Sequence, residues 1–219
     1  MKATIQQYIE LFHYNGITDF FLSKHKATEN ERTPAPLEIE KVNALQQLKE
    51  KYANCTFCDI EKTRMKFVYG EGSIYAKYMV IGNPPIASEN VNGRPFVGDL
   101  YGDTFNKMMA AINLKREDLY ITNITKCKTN KLEISELQKC LPYLYEQIEL
   151  IKPKKILVMG LLGAKVLLNQ NENMEYFRNN QPHYFRGIPV YVTYNPLDFQ
   201  TDVNLKKPAW DDIRKFMPQ

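Results

Sequence analysis

Scarcity frames this chain. Among its 219 residues are only four cysteines and three histidines, and no apolar run approaches the ~18–20 residues that cross a bilayer. Two histidines, His13 and His25, fall in the N-terminal stretch. The third, His183, precedes the last predicted strand and reads as a surface residue. Net charge is slight, 29 basic against 25 acidic residues or +4, which permits nucleic-acid binding without implying it. The opening MKATIQQYIELFHYNG is broken by polar residues and has no small-residue cleavage site, so no export signal is expected. A cytoplasmic location follows as an expectation, and there cysteines serve as ligands or catalysts more than as disulfides. Internal repeats and low-complexity segments are absent. With 44% hydrophobic residues, the chain can bury one sizeable core.

The four cysteines fall into one pattern: Cys55 and Cys58 as C-x2-C, then Cys127, then Cys140. Four thiolates are a full ligand set for a tetrahedral zinc or an iron–sulfur cluster. The long gap makes such a site a staple between distant parts of a larger domain. Spacing alone does not separate zinc from iron, nor either from buried free cysteines packed as small hydrophobes.

Residues 1–25 predict one or two short helices, and the polar, proline-containing residues 26–36 a linker. Apolar spacing at Leu37, Val42, Leu45, Leu48 and Tyr52 predicts a helix over 37–53 that delivers Cys55 and Cys58 past its end. Strands are then predicted at Lys77–Gly82, Leu119–Thr125, Lys155–Gly160 and Ile188–Tyr194. Helices are predicted at Asp99–Asn113, Glu133–Ile151 (kinked or restarted at Pro142), Leu161–Leu168 and Pro208–Phe216. This alternation predicts an α/β fold, a three-layer α/β/α sandwich around a mainly parallel sheet, over 37–219, with an N-terminal helical extension at 1–36. Ligands in such sheets lie beyond the carboxyl ends of the strands.

The segments at those ends carry the remaining information: Gly82-Asn83-Pro84-Pro85, Gly93-Arg94-Pro95-Phe96-Val97-Gly98, Ile121-Thr122-Asn123-Ile124-Thr125-Lys126-Cys127 and Asn195-Pro196-Leu197. Their order resembles the uracil-DNA glycosylase superfamily, specifically its iron–sulfur branch, families 4 and 5, from about Leu45 to Phe216. The resemblance implies that Cys55, Cys58, Cys127 and Cys140 hold a 4Fe–4S cluster, with zinc as the alternative. It implies that Phe96 stacks on a flipped-out base and that Asn123 reads its Watson–Crick edge. It implies DNA containing uracil or another damaged base as partner and a place in base excision repair; a monomer is the default expectation, and the lack of a long apolar run predicts no membrane span. Lys126, Lys128, Lys206 and Lys207, with Lys131, become candidates for phosphate contacts. Read without the resemblance, Phe96 is equally a core aromatic, Asn123 a loop fastener and the lysines a solvated surface.

Two motifs depart from the family. Asn83 stands where family 4 has an acidic residue; an amide orients water but takes no proton from it near neutral pH. Pro85 and Ile86 are bulkier than the usual small residues. Asn195-Pro196-Leu197 replaces His-Pro-Ser, so the donor to the departing base carries no charge. Loss of one such donor costs about 10²–10³ in rate. With Asn83 and Asn195 in the catalytic positions, the expectation is a weak N-glycosyl hydrolase. The alternatives are a catalytically inactive DNA-binding protein on the same fold, or a fold relative with another ligand.

Overall fold

The structure, a computed structural model, describes residues 36–129 and 134–217. The expected helices over 1–25, most of the linker, His13, His25 and Lys131 lie outside the described residues. Glu40–Gln219 forms one compact unit.

Among the described residues the first helix is α1 (Pro36–Ala53). There follow β1 (Glu71–Gly72), β2 (Tyr78–Gly82), α2 (Ala87–Asn92), α3 (Asp99–Ala110), β3 (Leu119–Asn123) and α4 (Ile134–Ile151). The chain continues through β4 (Lys155–Met159), α5 (Leu161–Leu168), α6 (Met174–Asn179), β5 (His183–Phe185), β6 (Ile188–Thr193), α7 (Asp198–Thr201) and α8 (Lys206–Phe216). The strands form one six-stranded sheet in the order β1-β3-β2-β4-β6-β5. Its four central strands run parallel, and β1 and β5 pair antiparallel at the edges. The two edge strands and the short helices α2, α6 and α7 have no strong periodicity and were not anticipated. Pro142 lies inside α4, which runs unbroken through it.

Period-2 alternation sends side chains to opposite faces. Met79, Ile81, Ile156, Val158, Val190 and Val192 pack with Leu144, Ile148 and Ile151 of α4 and with Ala164, Leu167 and Phe177 of α5 and α6. Val80, Leu119, Ile121, Leu157 and Met159 pack on the other face with Phe105 and Met109 of α3 and Ile213 and Phe216 of α8. These are the three layers. Register sets the strand ends level, pairing Gly82 with Asn123 and with Met159, and Met159 with Thr193. Asn83, Asn123, Gly160 and Asn195 therefore emerge at one end of the sheet.

His183 is a strand residue, half-buried, with its Nε2 2.8 Å from the Phe177 carbonyl oxygen. The expected surface role gives way to one holding β5 to α6.

Candidate functional site

At the end of β2, Gly82 lets two side chains approach. A Cβ there would sit 2.7 Å from Phe96 Cζ and 3.3 Å from Asn123 Nδ2. The two residues meet on one buried carboxylate. Glu89 Oε1 accepts from the Phe96 N–H at 2.6 Å and from Asn123 Nδ2 at 3.3 Å, while Oε2 accepts from the Ile86 N–H at 2.7 Å. Glu89 is fully buried. Burial pushes its carboxyl up, and the three donors and Arg116 pull it back down. Sequence reading missed Glu89; the only signal was its place between two motifs already singled out.

Asn123 is also fully buried. Its Nδ2 donates to Asn83 O at 2.8 Å as well as to Glu89, so both amide hydrogens are used. Among the described residues its Oδ1 has no partner. Two acceptors on one side fix which end of the amide is which.

Phe96 holds φ at 49°, a left-handed conformation that costs a non-glycine residue roughly 1–2 kcal/mol. Its peptide is clamped from both sides, by Glu89 on the N–H and by Arg116 Nη1 donating to its carbonyl at 3.1 Å. Arg116 is itself fixed by an ion pair with Glu71. The ring is fully buried and stacks on Phe105 (centroids 4.4 Å apart) and Tyr101 (5.5 Å). Ile86 and Leu197 pack against this cluster. In this conformation the expected stacking ring is closed within the core, in a cluster that Ile86 and Leu197 join.

Asn195 is likewise engaged within the protein. Its Nδ2 donates to Met159 O at 3.1 Å and its Oδ1 accepts from the Leu197 N–H at 3.0 Å. The amide closes its own loop instead of pointing at a ligand.

Asn83 is half-buried. Its Oδ1 accepts from the Gly163 N–H at 3.3 Å, and a Cβ at Gly160 would come within 2.4 Å of its Nδ2. It lines a cleft of about 400 Å³ with Leu161, Leu162, Lys165 and Asp198.

Of the four lysines, Lys126 is overturned as a phosphate contact. It is fully buried, and its Nζ donates to Thr122 Oγ1 (2.6 Å), Asn123 O (2.8 Å) and Gln147 Oε1 (2.8 Å). Burial, only partly offset by the sulfurs of Cys140 and Cys127, brings its ammonium down to about 7. Lys206 and Lys207 are exposed at the start of α8, and Lys128 is half-buried.

Cys55, Cys58, Cys127 and Cys140 line one cavity with Phe67, Thr125 and Tyr143. Arg64 Nη1 lies 3.6 Å from Cys127 Sγ. Without a metal, burial raises the Cys127 thiol and pushes Cys140 up to about 11. Among the described residues, no three Cys, His, Asp or Glu side chains gather closely enough to close on a single ion. Four soft donors, an N–H···S contact and a buried ammonium nonetheless suit an anionic thiolate centre.

A parallel α/β sheet with a buried amide, an aromatic ring and a carboxylate at its carboxyl end has the architecture in which ligands bind beyond the strand ends. Residues 69–214 match the model of the uracil-DNA glycosylase superfamily. A type-4 uracil-DNA glycosylase of Pyrobaculum aerophilum is 33% identical over 175 residues, covering 75% of this chain and 86% of the relative. A type-4 enzyme of Sulfurisphaera tokodaii is 31% identical over 185 residues, 80% and 84% of the two chains. A type-5 enzyme of Pyrobaculum aerophilum is 27% identical over 142 residues, 57% and 63%. The chain belongs to the uracil-DNA glycosylase superfamily.

Proposed function

We propose that the protein is a DNA-repair glycosylase that hydrolyses the N-glycosidic bond of uracil or a related deaminated base, at a reduced rate. The observation that carries this is the unpartnered Oδ1 of Asn123. Deamination converts a ring acceptor of cytosine or adenine into an N–H donor. A lone acceptor, unable to rotate because its Nδ2 is held by Asn83 O and Glu89, recognises that change. An orphaned buried acceptor costs about 1–3 kcal/mol, which a base N–H would recover.

The base enters by leaving the DNA stack. Phe96 offers its ring once Ile86 and Leu197 withdraw. Asn83 orients water in the adjoining cleft. Asn195, uncharged and with its Nδ2 already held by Met159 O, is a weaker donor to the departing base than a histidine would be, which fits a reduced rate. Lys206 and Lys207, at the positive end of α8, and Lys128 contact phosphates. Cys55, Cys58, Cys127 and Cys140 would hold a 4Fe–4S cluster. Its contribution is structural, tying the chain after α1 to the segment after Asn123. Residues 37–219 form the glycosylase domain, with 1–36 an extension; the protein acts as a monomer in the cytoplasm.

The closed ring of Phe96 and the committed amide of Asn195 favour one second reading, a DNA-binding protein without turnover. A nicking assay on single- and double-stranded DNA carrying uracil, hypoxanthine or xanthine separates the two. Product supports the first. Salt-dependent binding with no product at enzyme excess over hours supports the second, and no affinity at low salt refutes both.

A further inference from the structure

The position that should carry a water-activating carboxylate holds Asn83, yet a carboxylate lines the same cleft. Asp198, at the first position of α7, shares the cleft of about 400 Å³ with Asn83. Its Oδ2 accepts from the Asn195 N–H at 2.8 Å, while among the described residues no donor reaches its Oδ1. The carboxylate is therefore held by one oxygen and open at the other. The one cation in the cleft, Lys165, is drawn aside, its Nζ donating to Asn171 Oδ1 at 2.8 Å. Half-burial raises the Asp198 carboxyl above the usual range, and the Asn195 N–H lowers it. The cleft adjoins the base pocket through a single peptide, because Asn83 O accepts from Asn123 Nδ2 at 2.8 Å.

We propose that Asp198 is the catalytic base, acting from beside the Asn195-Pro196-Leu197 segment in place of the acidic residue absent at Asn83. This rests on the glycosylase reading above. Water, oriented by Asn83, gives a proton to Asp198 Oδ1 as its oxygen bonds to the sugar C1′. The C1′–N bond breaks with its electron pair going to the base, and the proton passes on to the base anion as the product leaves.

Asp198→Asn keeps an acceptor for the Asn195 N–H but removes the base, and Asp198→Ser does the same with a shorter side chain. The test measures single-turnover rates on uracil DNA, affinity by fluorescence anisotropy, and melting temperature for both variants and for Asp198→Asn combined with Asn83→Glu. The rate should fall about 10²–10⁴-fold in both single variants with affinity held, and the double variant should recover at least tenfold by returning a carboxylate to the cleft. A wild-type rate in either folded single variant overturns the assignment while leaving the glycosylase reading intact. Wild-type protein without product on any base overturns both.

Discussion

Replacing Glu89 by glutamine tests the centre of the site. The substitution is isosteric but not neutral, because all three groups facing the carboxylate are donors: the Phe96 N–H, the Ile86 N–H and Asn123 Nδ2. Glutamine best keeps its carbonyl toward Phe96 and Asn123, which turns its own NH2 against the Ile86 N–H. That orphans a buried donor, at about 1–3 kcal/mol, and weakens the two surviving bonds from charge-assisted to neutral, at roughly 1 kcal/mol each. Relief from burying a charge returns part of this. The net loss is about 2–3 kcal/mol, or about 5–10 °C in Tm at this chain length. Circular dichroism melts of the wild type and Glu89→Gln measure it. Function should change as well. With Nδ2 held less firmly, the Asn123 amide turns more freely, and preference for uracil over cytosine in single-stranded oligonucleotides falls. An unchanged or higher Tm, with base preference intact, would refute the argument that this carboxylate organises the pocket.

Ile86→Gly with Leu197→Ser should uncover Phe96 and raise base-release rates in the nicking assay; an unchanged rate means that these side chains do not limit entry. Lys206→Gln and Lys207→Gln should each reduce the slope of log K against log salt by about 1, whereas Lys126→Met should leave the slope alone and lower the Tm, as read by binding titrations and melts. Gly160→Ala places a Cβ 2.4 Å from Asn83 Nδ2 at a φ of 120°, so it should displace Asn83 and cost about 1–3 kcal/mol, measured by urea unfolding alongside turnover. Cys127→Ser removes a sulfur from the shared cavity and should leave the protein insoluble or without the brown absorbance expected of a four-iron centre; a soluble, coloured variant contradicts the structural role.

Much of the frame was legible because it depends on near neighbours. Ile156, Leu157, Val158 and Met159 form a short unbroken apolar run, and such a run suits a strand buried on both faces. Leu141, Leu144, Ile148 and Ile151 recur at helical spacing for the same kind of local reason. The ends of such strands in a parallel sheet must share an edge, so Asn83, Asn123 and Asn195 could be grouped from order alone. The short edge strands β1 and β5 carried no such pattern, since pairing with β3 and β6 is what makes them strands.

By itself the sequence determined the alternating α/β order, the set of four cysteines, and the residue types available at the strand ends. Only tertiary structure decided what those side chains face. Lys126 looks like a surface cation beside two other lysines until Gln147 of α4, 21 positions away, closes over its ammonium. Glu89 looks like an ordinary helix-surface acid until Phe96 and Asn123 converge on it. Burial and hydrogen bonding are set by groups distant along the chain, and periodicity carries no record of them.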